Sequence, residues 1–205
     1  MRSVNLATVN GNNGWFPPEV NLGELEKLVQ ESFATIGRMV VHEYFIQGAE
    51  LAPKDISFLV LGHETSTGQL ASGLIAREYE FQGIRFMCYD KIFVAPEKMG
   101  NGLAGDMISA AMDEGKKRGI PVGVLRTSSE RNDGIYGRYS DIDSLKIGDY
   151  FMHGFGFLDK SSGIELYDGA KSIFPMLARH VAEKPQTTIP IPKVAANNGI
   201  ATAYA

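Results

Sequence analysis

The sequence predicts a single α/β domain with a mixed, mostly antiparallel β-sheet flanked by helices. Its 205 residues are enough for one domain with a proper core. Three apolar, strand-like runs follow one another between residues 56 and 94, separated only by turn-forming residues. Helical patterns lie before and after these runs. We therefore expect an antiparallel meander and then one helical crossover to a parallel strand.

The first half of the chain supplies two helices and the meander. The segment NLGELEKLVQESFATIGRMVVHEYF has apolar residues at helical spacing and predicts one long helix, or two shorter ones around Gly37. The strands are predicted over ISFLVLGHE, GQLASGLIAREYEF and IRFMCYDKIFV. A further helix is predicted from Gly102, because an apolar stripe begins at Leu103 and three basic residues precede a stop at Gly119.

The second half is predicted to complete the sheet. We predict a short buried strand at PVGVL and a second strand at YFMHGFGFL, separated by a long polar loop over residues 127–149. The end of the domain, IELYDGAKSIFPMLARHVAEK, is predicted to be mostly helical. Residues 1–20 and 185–205 are rich in Asn, Gly, Pro or small residues, so we expect an N-terminal arm and a flexible C-terminal tail. The domain is then predicted over residues 21–184.

Composition excludes several classes of function. The formal net charge is -4 and no dense Lys/Arg stripe appears, so we expect no nucleic-acid partner. No apolar run approaches ~20 residues, and the start MRSVNLATVNGNNG lacks the apolar core of a signal peptide, so we expect a cytoplasmic protein with no membrane partner. The four histidines are scattered, and no metal site is predicted. The single Cys88 is expected in the core.

One loop has three competing interpretations. In DKIFVAPEKMGNGLAGDMISAAM, Gly100, Gly102 and Gly105 have the G-x-G-x-x-G spacing of dinucleotide-binding loops. That fingerprint places its first glycine at the end of a strand, whereas APEKM separates KIFV from Gly100, and only one strand-helix-strand crossover can be drawn. RTSSER, after the next strand, is typical of a 2′-phosphate clamp. An NADP-binding reductase therefore stays as an alternative.

The second interpretation takes MGNGLA as the pyrophosphate loop of acetyl-CoA-dependent N-acetyltransferases. Their pattern is Gln or Arg, two residues, Gly, one residue, and Gly or Ala, and it falls on Met99, Gly102 and Ala104. Small residues let backbone N–H groups close on phosphate oxygens at a helix start. Met99 departs from the pattern, because its side chain cannot donate a hydrogen bond. A connector without a ligand is the third interpretation.

With its surroundings, the loop resembles the GCN5-related N-acetyltransferase (GNAT) superfamily, and within it the acetyltransferase domain of N-acetylglutamate synthases. The similarity covers most of residues 24–180 and is found in five segments in family order: LEKLVQESF, YDKIFVAPEKMGNGLAGDM, VLRTSSERN, YGRYSD and YFMHGFGFLD. It implies a GNAT-type domain that uses acetyl-CoA as co-substrate, without a metal. The implied acceptor is the amino group of an amino acid, glutamate first, or a related small amine.

The resemblance also implies roles for single residues. Lys91 and Arg126 would hold a substrate carboxylate, and Asn132 would orient or deprotonate the amine. Tyr136 would be the general acid, with Lys91 and Asn132 as its catalytic partners and Tyr139 as a rival. The cofactor-binding set is Phe93, Val94, Met99, Gly100, Asn101, Gly102, Leu103 and Ala104. A backbone N–H near Phe93 or Val94 would donate a hydrogen bond to the acetyl carbonyl.

Other interpretations of these residues stay open. Lys91 is also explained by an ion pair with Asp90, Arg126 by a solvated strand end, and Asn132 by a turn. An acetyltransferase acting on protein N-termini or lysines, and a module that binds CoA without turnover, remain alternatives. The sequence leaves open the acceptor amine, the acyl chain length and whether the chain forms a homo-oligomer.

Overall fold

The structure is a computed structural model that describes residues 4–14, 16–34 and 56–183. A one-turn 3₁₀ helix (Pro96–Lys98) precedes the second α-helix. In chain order the elements are β1 (Val4–Gly14), α1 (Leu22–Ala34), β2 (Ile56–Glu64), β3 (Leu70–Phe81), β4 (Ile84–Val94), α2 (Leu103–Lys117), β5 (Gly123–Thr127), α3 (Glu130–Tyr136), β6 (Leu145–Ile147), β7 (Tyr150–Phe155), β8 (Leu158–Asp159), β9 (Ile164–Glu165) and α4 (Asp168–Glu183).

Seven strands form one sheet in the order β1-β2-β3-β4-β5-β7-β6, while β8 and β9 pair separately. β4 and β5 are parallel, and the other neighbouring pairs of the sheet are antiparallel. The helix α2 is the crossover between the two parallel strands. This arrangement confirms the predicted mixed, mostly antiparallel sheet flanked by helices.

Helices cover both faces of the sheet. Met87 and Tyr89 of β4 pack in one cluster with side chains of α2 and α3. Side chains alternate between faces along a strand, so Cys88 points the other way, into a cluster with α4. Phe93 packs with α1 on that same opposite side. The sheet therefore lies between a layer of α2 and α3 and a layer of α1 and α4.

The elements predicted from strong periodicity form where expected. β2, β3 and β4 occupy the three predicted runs, and α2 begins directly after Gly102. Leu103, Met107, Ile108 and Ala111 of α2 are buried against the sheet. The helix ends at Lys117, with Arg118 as its C-cap, before Gly119, whose φ of 71° lies in the left-handed region that favours glycine. Cys88 is buried, as predicted.

The N-terminal part of the sheet differs from the sequence prediction. Within the segment expected to be an arm, Val4–Gly14 forms β1, which pairs with β2 at the edge of the sheet. Val4 and the half-buried Leu6 pack with the cluster under α2, and this burial explains why the segment joins the sheet. A polar composition with few apolar residues concealed the strand.

The predicted loop over residues 127–149 also differs, because it contains α3 and β6. Asn-Asp-Gly was interpreted as turn chemistry but lies inside α3, where the Asn132 N–H donates to Ser129 Oγ at 3.4 Å. The predicted strand YFMHGFGFL is divided into β7 and β8 at Gly156, which has a φ of 74°.

The ends of several predictions lie outside the described residues. These are the continuation of the first helix beyond residue 34 and the C-terminal tail over residues 185–205. The domain limits of 21–184 stay a prediction. No helix in the described ranges is long and apolar enough to cross a membrane.

Candidate active site

A cleft opens in the sheet where β4 and β5 separate. The two strands pair in parallel over Met87–Tyr89 and Gly123–Leu125, whereas β4 continues to Val94. Ligands of α/β sheets bind outside the carboxyl ends of parallel strands. The carboxyl ends of β4 and β5 are therefore the candidate site.

A β-bulge marks the point at which the cleft begins. Ile75 of β3 pairs with Lys91, but Ala76 pairs with Tyr89, so Asp90 is the extra residue of β4. A bulge bends a strand and places two successive side chains on nearly the same side. Asp90 and Lys91 can therefore both lie on the face covered by α1 and α4.

The edge of β4 presents backbone N–H groups to the cleft. Ala95 donates its N–H to the carbonyl of Ala71 on the β3 side at 2.8 Å. Because antiparallel hydrogen bonds alternate, the N–H of Phe93 also faces β3, while those of Ile92 and Val94 face the cleft. Val94 N–H donates to Ser32 Oγ of α1 at 3.2 Å. Of the two positions predicted to bind the acetyl carbonyl, one thus faces β3 and the other is taken by Ser32, which leaves Ile92.

The glycine loop lies beside this cleft, at the start of α2. Gly100 (φ 83°) and Gly102 (φ 80°) are left-handed, and a Cβ on either would meet nothing within 4 Å. No side chain caps α2, and Asp106 N–H makes the first turn's bond to the Gly102 carbonyl at 3.1 Å. The N–H groups of the first turn are thus directed to the loop. This open backbone cradle fits a phosphate group.

Neighbouring contacts shape the predicted loop. Asn101 Nδ2 donates to the Lys98 carbonyl at 3.2 Å, and Met99 N–H donates to the Pro96 carbonyl at 3.3 Å. Lys98 also forms an ion pair with Glu64 of β2. The Met99 side chain packs against the apolar cluster under α2, so it contributes to the loop's position rather than to hydrogen bonding.

Gly105, the third glycine of the motif, has a different role. A Cβ at this position would lie 2.2 Å from the ring of Tyr139 and 2.6 Å from its hydroxyl oxygen. The missing side chain therefore lets the half-buried Tyr139 ring lie directly on the first turns of α2. The sequence motif alone did not reveal this partner.

The helix α3 places two of the predicted residues, Asn132 and Tyr136, on the face of α2. Tyr136 is 8% exposed, and burial raises its pKa to about 12. Its ring and that of His153 of β7 meet edge to face, with their centroids 5.9 Å apart. Nε2 of His153 lies 3.1 Å from Asp133 Oδ1. Burial lowers the pKa of His153, and the Asp133 carboxylate opposes that shift.

On the opposite face, charged side chains gather at the bulge. Asp90 Oδ2 lies 3.4 Å from Arg77 Nε, and Asp90 Oδ1 lies 3.8 Å from Lys91 Nζ. Arg77, Asp90 and Lys91 are only 12%, 12% and 16% exposed. Together with Arg126, these charges act on Cys88, whose thiol pKa is raised to about 12 mainly by burial. We call Arg77, Asp90, Lys91 and Arg126 the charged cluster.

Arg126 also connects β5 to α4. Its Nη1 donates to the carbonyls of Val181 and Ala182 at 3.1 Å each, in the last turn of α4. Its guanidinium carbon lies 4.9 Å from the centre of the Tyr150 ring. These contacts fix the guanidinium beside the bulge.

The structure thus divides the predicted residues between two faces of one cleft. Lys91 and Arg126 lie on the face of α1 and α4, while Asn132, Tyr136 and the glycine loop lie on the face of α2. Sequence reasoning missed Arg77 and considered Asp90 only as an ion-pair partner of Lys91, although two adjacent charges inside an apolar strand were a signal for a bulge. Among the described residues, no group of three or more His, Cys, Asp and Glu could hold a metal ion.

Comparison with known proteins gives a fold. No protein-family model and no curated protein matches the sequence. The NatC complex bound to a Gag peptide and CoA is similar in structure, with a TM-score of 0.52 and 10% identity over 74% of this chain and 98% of that chain. An aminoglycoside acetyltransferase from an uncultured soil metagenomic sample matches with a TM-score of 0.52 and 20% identity over 71% and 96%.

A third match is a putative GNAT-family acetyltransferase from Desulfovibrio desulfuricans, with a TM-score of 0.50 and 15% identity over 74% of this chain and 97% of that chain. The chain has the fold of the GNAT acetyltransferases. Within the residues that the structure describes there is one parallel strand pair with one crossover, and they lack the repeated βαβ units that the NADP alternative requires. The glycine loop is therefore interpreted within the GNAT fold.

Proposed function

We propose that the protein is an N-acetyltransferase that moves the acetyl group of acetyl-CoA to the amino group of a glutamate-like amino acid or a related small amine. One observation carries the proposal: the cleft between β4 and β5 has a backbone anion cradle on one face and the charged cluster on the other. An anionic donor and a carboxylate-bearing acceptor would need both. The shared fold supports the transfer, and the five similar segments support glutamate as the first candidate.

The cradle would hold the pyrophosphate of the donor. Acetyl-CoA supplies an acetyl group activated as a thioester. The backbone N–H groups from Gly100 to Ala104 and the partial positive charge of the α2 N-terminus would face the phosphate oxygens. Ile92 N–H would face the acetyl carbonyl, and a preorganised donor of this kind contributes ~3 kcal/mol to the lowering of the barrier.

The charged cluster would hold the acceptor. Two basic side chains, Arg77 and Lys91, flank the Asp90 carboxylate, and Arg126 lies near enough to act on the same Cys88 thiol. A guanidinium has five donors, so Arg126 can bind a carboxylate while Nη1 stays on α4. Charge-assisted hydrogen bonds in a mostly buried site are strong and directional. A carboxylate-bearing amine is the acceptor that this chemistry favours.

Proton transfer would involve residues of α3. Tyr136 would protonate the leaving thiolate, since a phenol with an ordinary pKa near ~10 carries its proton at neutral pH; burial raises the pKa of Tyr136 further, to about 12. Asn132 would orient the amine, and no partner of its side-chain amide is found among the described residues. Tyr139 is the rival acid, because its ring lies on α2 beside the glycine loop.

Acetylation of protein N-termini is the second candidate. It is favoured by the structural similarity to the NatC complex, which is bound to a peptide and CoA. A peptide N-terminus presents an amine without a neighbouring carboxylate. The charged cluster therefore distinguishes the two candidates.

The test is an acceptor panel assayed by release of the CoA thiol. Glutamate, other free amino acids, the α-amide of glutamate and short peptides are compared at saturating acetyl-CoA. We expect free amino acids to react, and the α-amide to lose ~10-fold or more in kcat/KM, since one charge-assisted pair is removed. Faster turnover of a peptide than of every amino acid would replace the proposed acceptor with a protein.

A further inference from the structure

His153 of β7 and Asp133 of α3 meet where α3 packs on the sheet. His153 lies on β7 opposite Leu125 of β5 and is fully buried. Its Nε2 is 3.1 Å from Asp133 Oδ1, a close contact that is poorly aligned for a hydrogen bond. Within the part of the chain that the structure describes, Nδ1 has no hydrogen-bond partner either.

A buried histidine whose ring nitrogens make no hydrogen bond lowers the stability of the folded protein. Buried polar atoms are nearly always hydrogen-bonded, and an unpartnered ring nitrogen loses its interaction with water without replacement. Replacing both partners of such a contact by apolar side chains of similar shape can be neutral or stabilising. The imidazole is therefore explained by a role in function rather than by stability.

The contact of His153 with Asp133 involves α3, the helix that carries Asn132 and Tyr136. The helix α3 has seven residues, too few to be stable without tertiary contacts. The Ser129 cap is long, at 3.4 Å from Asn132 N–H. The ring of Tyr136, one helical turn after Asp133, packs edge to face with the ring of His153. His153 thus contacts α3 at two points, one polar and one aromatic.

We propose that the buried His153 and the partly exposed Asp133 are a pair of positioning residues that fixes α3 on the sheet and so holds Asn132 and Tyr136 at the cleft. Its role in the reaction rests on the proposed function; its role in fixing α3 does not. Asp133 holds the start of the helix through its contact with His153, and the edge-to-face packing with the imidazole fixes the plane of the Tyr136 ring. The pair touches neither substrate.

Two measurements on the full chain test this proposal. Asp133→Ala and His153→Leu should each lower kcat at saturating substrates by ~10-fold, with the KM for acetyl-CoA within ~2-fold, as expected when only transition-state geometry is lost. The double variant should lose no more than either single one, because the two residues act as a unit. Asp133→Asn keeps an acceptor oxygen and should restore most of kcat. Hydrogen exchange of residues 130–136 should accelerate in both single variants.

Asp143→Ala is the matched control, since Asp143 is exposed in the connection that follows α3. It should change neither kcat nor exchange in α3. Unchanged kcat per folded molecule in both single variants would overturn the role of the pair in the reaction. Unchanged hydrogen exchange in α3 would overturn its role in fixing that helix on the sheet. A parent protein that acetylates no acceptor would instead refute the proposed function, while the exchange measurement would still decide whether the pair fixes α3.

Discussion

At the scale of single residues, the two tyrosines after β5 differ in a way that the sequence could not reveal. Tyr136 is buried under α3, against His153, and its pKa is raised to about 12. Tyr139 is half-buried and lies on Gly105, at the start of α2. Both are therefore close to the cleft, but only Tyr136 is held by the element that also carries Asn132.

Tyr136→Phe should lower kcat by ~10² or more with little change in acetyl-CoA affinity, because general acids contribute in that range. The phenyl ring keeps the packing against His153, so the melting temperature should stay close to that of the parent. Tyr139→Phe should be mild. Steady-state release of CoA, normalised to folded protein, is the measurement. A large defect in Tyr139→Phe alone would move the acid to that residue, and no defect in either would remove tyrosine from the mechanism.

The predictability of single site residues follows from whether their partners are local. The open positions at Gly100 and Gly102 were predictable, since glycine spacing before an apolar helix is a local pattern. The hydrogen bond from Val94 to Ser32 joins residues 62 apart in sequence. The contact of His153 with Asp133 depends on how β7 and α3 pack. The sequence next to these residues gives no indication of such contacts.

At the scale of elements, the strands β2 to β4 and the helix α2 were predictable because apolar residues recur along them with a clear period. The helix α3 was not. It contains Gly134 and the turn-like Asn-Asp-Gly, and its Tyr136 and Asp133 both contact His153 of β7. Tertiary contacts override weak local preference here.

The contact between β5 and α4 gives an element-scale prediction. Arg126→Ala should raise the KM for the amino acid far more than the KM for acetyl-CoA, because a carboxylate loses its guanidinium partner. It should also cost about 2 kcal/mol of stability, since the last turn of α4 loses two hydrogen bonds from a charged donor. Kinetics with both substrates and chemical denaturation are the measurements.

Arg179→Ala is the control, because Arg179 is an exposed cation of the same helix. It should leave both KM values and the unfolding free energy unchanged. If Arg126→Ala loses stability while its amino-acid kinetics stay those of the parent, then Arg126 serves α4 only, and a protein or polyamine acceptor becomes the better candidate.

At the scale of the whole molecule, the groups proposed to bind the donor and the acceptor lie on opposite faces of one opening in the sheet. The bulge at Asp90 directs the charged cluster to the face of α1 and α4, while the glycine cradle begins the helix that covers the other face. A thioester bound at the cradle and an amine bound at the cluster would meet between β4 and β5. Neither face alone would bring the two reactants together.

Binding at the cradle should be visible in the stability of the entire fold. A ligand that binds only the native state raises the free energy of unfolding, by ~2.7 kcal/mol at a hundred times its Kd. Acetyl-CoA should therefore raise the melting temperature of the parent, and NADPH should not. Stabilisation by NADPH alone would return the loop to the dinucleotide interpretation.

Gly102→Val should abolish this thermal shift. The valine would be strained at a φ of 80°, and its side chain would enter the open space where a phosphate would lie. Gly83→Val is the matched control: Gly83 has a φ of 77° and equally open surroundings, but lies in the turn between β3 and β4, at the other end of β4. Both variants should lose similar stability without ligand, and only Gly102→Val should lose the response to acetyl-CoA. An equal response in the two variants would mean that the glycine loop is only a connector.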